Sequence, residues 1–158
     1  MSVFSTREGL SHIRAMLAEG HPCQLVVTGN SMWPFLRHRA DTVILVPLSR
    51  DPRPGDILFY LRREDFCILH RVIRREEDGM LTLCGDAQTY LESVHTEQIL
   101  GVASHIRRRG RLISCGGPVW TSLSALWRWL LPIRPLLLRL GRAAAGAKHW
   151  ILNLFTNN

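Results

Sequence analysis

Short apolar runs with a preference for β structure, separated by turn-forming residues, recur along most of this chain. The runs are rich in valine, isoleucine, leucine and aromatic residues, and most end at glycine, proline or a charged turn. They are Cys23–Thr28, Asp41–Val46, Asp56–Leu61, Phe66–Arg75, Met80–Leu83 and Ile99–Ile106. Runs of this kind predict strands, and a turn at Arg63–Asp65 makes a hairpin of the two runs beside it. The pattern therefore predicts a mainly β body with a twisted, barrel-like sheet, in which residues 87–98 form a polar loop.

The N-terminal segment has a different periodicity. Over residues 5–20 the apolar positions Leu10, Ile13 and Leu17 recur at helical spacing, and Gly20 can end the helix. We therefore expect an N-terminal helix in residues 1–22, a β body in residues 23–113 and a compositionally distinct tail in residues 114–158.

Positive charge is concentrated towards the C-terminus. The net charge of the 158 residues is +7, yet residues up to Glu97 include 11 basic and 13 acidic side chains, whereas nine basic side chains and no acidic one follow. The tail is also rich in tryptophan and leucine. Such a segment is typical of one that lies on an anionic membrane surface, here through residues 115–150. The alternative is a helical pair packed on the body, and so much leucine argues against a nucleic-acid partner.

The cysteines indicate free thiols and give no indication of a metal site. Cys23, Cys67, Cys84 and Cys115 form no C-x-x-C pair and have no metal-ligand spacing with histidine, so we expect neither metal nor cofactor. Residues 1–25 contain four charged side chains and lack the apolar region of a secretory signal peptide. These features predict a cytoplasmic protein, with the tail able to hold it at the cytoplasmic face of the membrane.

Ser31 occupies a sharp turn directly after the first predicted strand. Gly29 and Asn30 tolerate the backbone of such a turn, and Pro34 restricts the residues that follow. A serine held out at the end of a strand can act as a nucleophile if a base elsewhere in the chain activates it. Most serines in such turns only bend or cap the chain, and this alternative remains open on the local sequence.

His70 is the strongest candidate for that base. The only lysine, Lys148, lies in the tail, which argues against a Ser-Lys pair. Strand alternation places His70 on the same face as Phe66, Ile68 and Val72. Shielding by apolar neighbours favours the neutral imidazole that a general base requires. The alternative is a core histidine bonded to a backbone carbonyl.

Two acidic residues could support the histidine. Asp86 follows Cys84-Gly85 at a predicted strand end, and Glu92 lies six residues further on. A carboxylate on the far ring nitrogen would fix the tautomer and stabilise the imidazolium. Taken alone, each acid could equally be a turn cap or a solvated surface group.

The order and spacing of several short blocks is more specific than any single residue. The blocks are G-N-S-M-W-P-F-L at 29–36, R-A-D at 39–41, P-G-D-I-L-F-Y at 54–60, L-H-R-V-I at 69–73, C-G-D at 84–86 and I-L-G-V-A at 99–103. This series resembles the signal peptidase I and LexA-type serine peptidase superfamily. With histidine before Arg71-Val72 where many members have lysine, it is most similar to the Ser-His branch of archaeal and endoplasmic-reticulum signal peptidases.

The resemblance implies a fold of that superfamily and a set of site residues. Ser31 would be the nucleophile and His70 the general base. The supporting acid stays open, because the branch usually has aspartate where this chain has Glu92, and Asp86 is the other candidate. Gly29 stands where many signal peptidases have a hydroxyl donor, so the oxyanion would rest on the Ser31 N–H and the Asn30 side chain. Met32 and Trp33, next to the nucleophile, are assigned to substrate binding.

The implied function is that of a serine endopeptidase that removes a leader or signal segment from a polypeptide substrate. No membrane anchor is expected before Ser31, so the tail would supply any membrane contact. One alternative is a self-cleaving LexA-like regulator, for which the only Ala-Gly pair, Ala145-Gly146, has an unusual position in the tail. Another is a non-catalytic module that binds peptides or membrane with the same fold.

Overall fold

The computed structural model describes residues 7–63 and 66–141. Helix α1 spans Arg7–Ala18, helix α2 spans Pro118–Trp129, and residues 134–141 are also helical. The strands are β1 (Cys23–Val26), β2 (Asp41–Val46), β3 (Ile57–Arg63), β4 (Phe66–Arg75), β5 (Leu81–Cys84), β6 (Glu92–Val94), β7 (Ile99–Arg108) and β8 (Arg111–Ser114). Short 3₁₀ turns occupy Thr96–Gln98 and Leu131–Ile133. The described chain is therefore mainly β, with an N-terminal helix and C-terminal helices.

The strands form one antiparallel sheet. Its order is β1-β2-β7-β3-β4-β5-β6, and β8 pairs with β7 as well. The long strand β7 is the centre of this arrangement, because it pairs with β2, β3 and β8. Among the described residues no pairing joins the end strands β1 and β6, which have only four and three residues. The sheet is thus open, where the sequence predicted a barrel-like one.

Alternation along β3 and β4 buries both faces of the sheet. The larger core lies on the face that α1 covers and includes Ile57, Phe59, Cys67 and Leu69 together with Leu10, Ile13 and Leu17. The smaller core lies on the other face and includes Leu58, Tyr60, Ile68, Val72, Leu81, Leu83 and Val94. Burial on both faces explains why β3 begins with the apolar run of residues 57–61 and β4 with the apolar run of residues 66–69.

Most predicted elements are confirmed, with two exceptions. The helix at the N-terminus and the bounds of β2 and β4 agree with the sequence pattern. The prediction of a loop over 87–98 was wrong, because β6 pairs there with β5 and a 3₁₀ turn follows. Strand β8 was not predicted either, since its arginine-rich start resembles a turn. Both strands are short, and pairing with a neighbouring strand stabilises them more than the β preference of their own residues does. Part of the predicted turn at Arg63–Asp65 lies outside the described residues.

The described part of the tail packs against the body through one face. Trp120 is 7% exposed and meets the Phe35 ring edge-to-face, with 5.3 Å between ring centroids. Ser124 and Arg134 are buried as well. The opposite face carries exposed apolar side chains at Val119, Leu123, Leu126, Trp129, Ile133, Leu136 and Leu140. No helix in the described ranges is long and apolar enough to cross a membrane.

Replacing Trp120 with alanine tests whether the tail is part of the folded core. We expect Trp120→Ala to lower the free energy of unfolding by about 3 kcal/mol, because it leaves a cavity against Phe35. The matched control is Trp129→Ala in the same helix, whose side chain is 77% exposed, and we expect a change within about 0.5 kcal/mol. Chemical denaturation of both variants measures the difference. Equal effects would contradict the packing described above.

Candidate active site

Ser31 lies in the turn that follows β1 and is almost completely buried. The turn begins at Gly29, whose positive φ of 94° suits glycine. The Ser31 side chain is 4% exposed, and its Oγ makes no hydrogen bond to any described residue. A buried hydroxyl usually has a partner, since leaving it unpaired costs free energy. This state is compatible with a hydroxyl that contacts a substrate.

The Gly85 loop holds the Ser31 turn in place. The N–H of Ala87 donates to the Ser31 carbonyl oxygen at 2.8 Å. A Cβ atom at position 85 would lie only 2.8 Å from the same oxygen, so a side chain there would push the serine turn away. The close approach of these two backbones therefore requires glycine at this position.

His70 lies on β4, one residue before Arg71, which pairs with Cys84 at the end of β5. Ser31 contacts the loop that follows β5 through the hydrogen bond from Ala87. The two residues predicted to do chemistry are therefore both held by elements that meet at the end of β5. Among the described residues, no hydrogen bond joins them, since Ser31 Oγ has no partner.

Tyr60 and Glu92 complete the surroundings of His70. The Tyr60 hydroxyl lies 3.1 Å from His70 Nδ1 and donates to Glu92 Oε2 at 2.9 Å. The direct distance from His70 Nδ1 to Glu92 Oε1 is longer, 3.9 Å. Arg62 forms an ion pair with Glu92 at 3.0 Å. A chain of polar contacts therefore runs from the imidazole through a phenol to a carboxylate.

The environment of His70 keeps its imidazole neutral. The residue is 2% exposed, and burial together with the positive charge of Arg62 lowers the pKa of His70 to about 3. Burial and the adjacent Glu92 also raise the pKa of Tyr60, so the phenol keeps its proton. The predicted shielding of His70 is confirmed by its burial.

The other candidate acid, Asp86, is engaged elsewhere. Its two carboxylate oxygens accept hydrogen bonds from Arg71 at 2.8 and 2.7 Å, and both side chains are fully buried. Arg71 also donates to Ser124 of α2 at 2.8 Å and stacks over the Phe35 ring at 4.5 Å. Asp86 thus joins the body to the tail, and Glu92 is the candidate acid that lies near His70.

A tail arginine holds the loop that carries Gly85. Arg134 is fully buried and donates to the Gly85 carbonyl at 3.3 Å and to the Trp127 carbonyl at 3.0 Å. The Trp127 indole in turn donates to the Asp86 carbonyl at 3.1 Å. Because this loop also contacts Ser31, the packing of the tail determines the position of the candidate nucleophile.

The remaining predicted site residues lie in different environments. Asn30 is exposed at the turn, and the Ser31 N–H donates to none of the described residues. Met32 has no exposed surface and packs in the larger core, so its assignment to substrate binding stays a prediction that its burial does not favour. Trp33 is 40% exposed, and its ring lies 3.4 Å from where a Cβ at Gly141 would be. It stays a candidate for substrate contact.

Sequence reasoning missed Tyr60, Arg71 and Arg134 as parts of the site. Tyr60 could have been found, because strand pairing puts alternate residues of β3 on the His70 face. Arg134 could not, since nothing in the local tail sequence indicates which arginine is buried. No group of three or more histidine, cysteine or acidic side chains in the described ranges is arranged to hold a metal ion.

Comparison of the chain with protein-family models, with curated proteins and with solved structures finds no significant match in any of the three.

The neutral state of His70 makes stability depend on pH. Its pKa of about 3 lies below the ordinary value, so as the pH falls below about 6.5 only the unfolded chain takes up this proton. We expect the wild type to lose about 2 kcal/mol more of unfolding free energy between pH 7.5 and 5.0 than His70→Asn. Denaturant titration at both pH values measures this. His21→Asn, at an exposed position, should keep the wild-type difference, and identical pH dependence in all three proteins would refute the assignment.

Proposed function

We propose that this protein is a serine endopeptidase of the signal peptidase I and LexA type that removes a leader or signal segment by a Ser-His mechanism. The observation that carries the proposal is the state of two groups held by elements that meet at the end of β5. One is a buried Ser31 hydroxyl without a hydrogen-bond partner, and the other is a neutral, buried imidazole. The order of the sequence blocks supports a fold of that superfamily, and the open mainly β sheet is compatible with it.

In the proposed reaction, His70 acts as general base and then as general acid. Nε2 accepts the Ser31 proton while Oγ attacks the scissile carbonyl carbon. The tetrahedral intermediate collapses when Nε2–H protonates the leaving amine and the C–N bond breaks. Water then gives a proton to His70 and attacks the acyl-serine, which releases the new carboxylate and returns the proton to Ser31. All atoms come from the peptide and one water molecule.

The developing oxyanion needs hydrogen-bond donors. The Ser31 N–H, which donates to none of the described residues, is the first, and the exposed Asn30 side chain is the second. Gly29 offers no hydroxyl for this purpose. Since one donor is typically worth about 10²–10³ in rate, we expect a modest turnover unless the substrate supplies further contacts.

An extended substrate fits the edge of the sheet. Strand β1 pairs only with β2 among the described strands and leads directly into the Ser31 turn. A polypeptide that adds to this edge would receive backbone hydrogen bonds and be led to the nucleophile. Trp33, partly exposed after the serine, would contact residues near the cut.

The charge and exposed apolar side chains of the tail support contact with an anionic membrane. The outer face of α2 and of residues 134–141 carries several exposed apolar side chains, and no acidic residue follows Glu97. A leader that lies in a membrane would then reach the site without leaving the lipid surface. The protein would work from the cytoplasmic face as a peripheral enzyme, with no nucleic-acid partner.

Two other functions receive less support. A self-cleaving regulator needs a cleavage site that reaches Ser31, and the Ala145-Gly146 pair lies outside the described residues. A non-catalytic binding module requires neither a neutral buried histidine nor a buried serine without a partner. An unchanged intact mass after long incubation would exclude self-cleavage.

A serine-directed probe tests the nucleophile without knowledge of the substrate. We expect a fluorophosphonate to label Ser31 in the wild type, not to label Ser31→Ala, and to label His70→Ala at least about 10²-fold more slowly. Intact mass spectrometry and peptide mapping measure the labelling. Ser49→Ala and His21→Ala, at exposed positions, should behave as the wild type. Absence of labelling in the wild type would refute the proposed mechanism.

The pH dependence of labelling is a separate prediction. Because neutral His70 persists in mild acid, labelling should continue at pH 5.

Vesicle binding tests the tail. We expect the protein to bind phosphatidylglycerol vesicles and not phosphatidylcholine vesicles, because the tail combines arginine with exposed apolar side chains. The double substitution Leu126→Gln and Trp129→Gln should weaken binding about tenfold or more, as two exposed apolar groups are lost. Leu91→Gln, an exposed leucine outside the tail, is the control. Co-sedimentation measures the binding. If the double variant bound phosphatidylglycerol vesicles as well as Leu91→Gln does, the tail would not be the membrane-binding segment.

A further inference from the structure

We infer that Tyr60 is a positioning residue that links Glu92 to His70 and fixes the imidazole tautomer. In this arrangement the carboxylate acts on the histidine through a phenol and does not contact the ring itself. The inference rests on the proposed function for its catalytic consequence, but its structural part can be measured independently.

The first argument comes from the distances. Two contacts within hydrogen-bond range connect the three groups, 3.1 Å from His70 Nδ1 to the Tyr60 hydroxyl and 2.9 Å from that hydroxyl to Glu92 Oε2. The direct separation of His70 Nδ1 and Glu92 Oε1 is 3.9 Å, too long for a hydrogen bond. The phenol therefore occupies the place that a carboxylate has in a directly coupled Ser-His-acid triad.

The second argument counts hydrogens. A phenol has one O–H hydrogen, and the Tyr60 hydroxyl donates it to Glu92. A carboxylate has no hydrogen to give in return, so at its contact with the imidazole the Tyr60 oxygen must accept. His70 Nδ1 then carries the proton and donates to Tyr60. In a neutral imidazole this leaves Nε2 without a proton, which is the form that can take one from Ser31.

The third argument is that the surroundings keep this arrangement from rearranging. Tyr60 has no exposed surface and His70 is 2% exposed, so little water competes for either group. Arg62 forms an ion pair with Glu92 Oε1 at 3.0 Å, while Oε2 of the same carboxylate accepts from Tyr60. Strand pairing holds Tyr60 opposite Ile68, two residues from His70 on the same face of β4. A buried polar chain whose members are fixed by neighbouring strands is well suited to hold one tautomer.

The chain also has a role when His70 becomes protonated. The imidazolium formed after proton transfer from Ser31 would donate from Nδ1 to Tyr60, whose oxygen is made more electron-rich by its bond to Glu92. The tyrosine keeps its proton throughout, and no proton passes along the chain. Tyr60 would thus carry part of the electrostatic effect of Glu92 to the ring.

The test uses the full chain with ¹⁵N-labelled histidine. In the wild type, ring ¹⁵N chemical shifts should show His70 protonated at Nδ1. In Tyr60→Phe the acceptor is lost, and we expect a mixture of tautomers or protonation at Nε2. Tyr90→Phe is the control, because it removes the same hydroxyl from a side chain that is 48% exposed, and it should leave Nδ1 of His70 protonated. Thermal melting of each variant monitors folding.

Labelling rates with the fluorophosphonate give the catalytic readout. We expect Tyr60→Phe to react about 10²-fold more slowly than the wild type. The single substitution Glu92→Gln should slow labelling. In the Tyr60→Phe protein the same substitution should cause little further slowing, because the acid acts through the phenol. This non-additivity is not expected of two independent structural defects.

The outcomes separate this inference from the proposed function. A changed tautomer in Tyr60→Phe with slower labelling supports both. A changed tautomer in a protein whose wild type is never labelled supports the role of Tyr60 and refutes the peptidase mechanism. An Nδ1–H tautomer retained in Tyr60→Phe, or Glu92→Gln and Tyr60→Phe effects that add fully, would overturn the inference, since Glu92 would then act on His70 directly or not at all.

Discussion

The buried ion pair between Arg71 and Asp86 connects the parts of this protein that form the candidate site. Arg71 belongs to β4, Asp86 follows β5, and the same guanidinium reaches Ser124 in α2. Breaking such a pair by removing one partner typically costs about 3–5 kcal/mol, because the other charge remains buried. The pair therefore fixes the loop that contains Gly85, and through it the turn of Ser31.

Two adjacent residues of β4 have different roles, Arg71 in the packing of the fold and His70 in the proposed chemistry. Arg71 faces the larger core and the tail, while His70 faces the smaller core with Tyr60. Strand alternation makes this division automatic, since successive side chains point to opposite faces. The same pairing that orders the ion pair orders the imidazole, so the site gains rigidity from the sheet itself.

The tail is part of the site and not only an appendage to it. Arg134 and Trp127 bind carbonyl groups of the Gly85 loop, so its inner face supports the position of Ser31. Its outer face is apolar and exposed. A membrane bound to this outer face would contact the same segment that holds the Gly85 loop. Membrane contact could therefore influence the position of Ser31.

The sequence by itself determined six of the eight strands, the N-terminal helix, the turn of Ser31 and the shielded histidine, because alternation, helical spacing and turn chemistry are local properties. It could not decide between Asp86 and Glu92, since both follow the same glycine. Only the pairing of β3, β4, β5 and β6 reveals that Asp86 binds Arg71 and that Glu92 binds Tyr60. It likewise left the tail open between packing and exposure. Tertiary structure decided these points because they depend on contacts between residues far apart in the chain, whose free energies no local pattern contains.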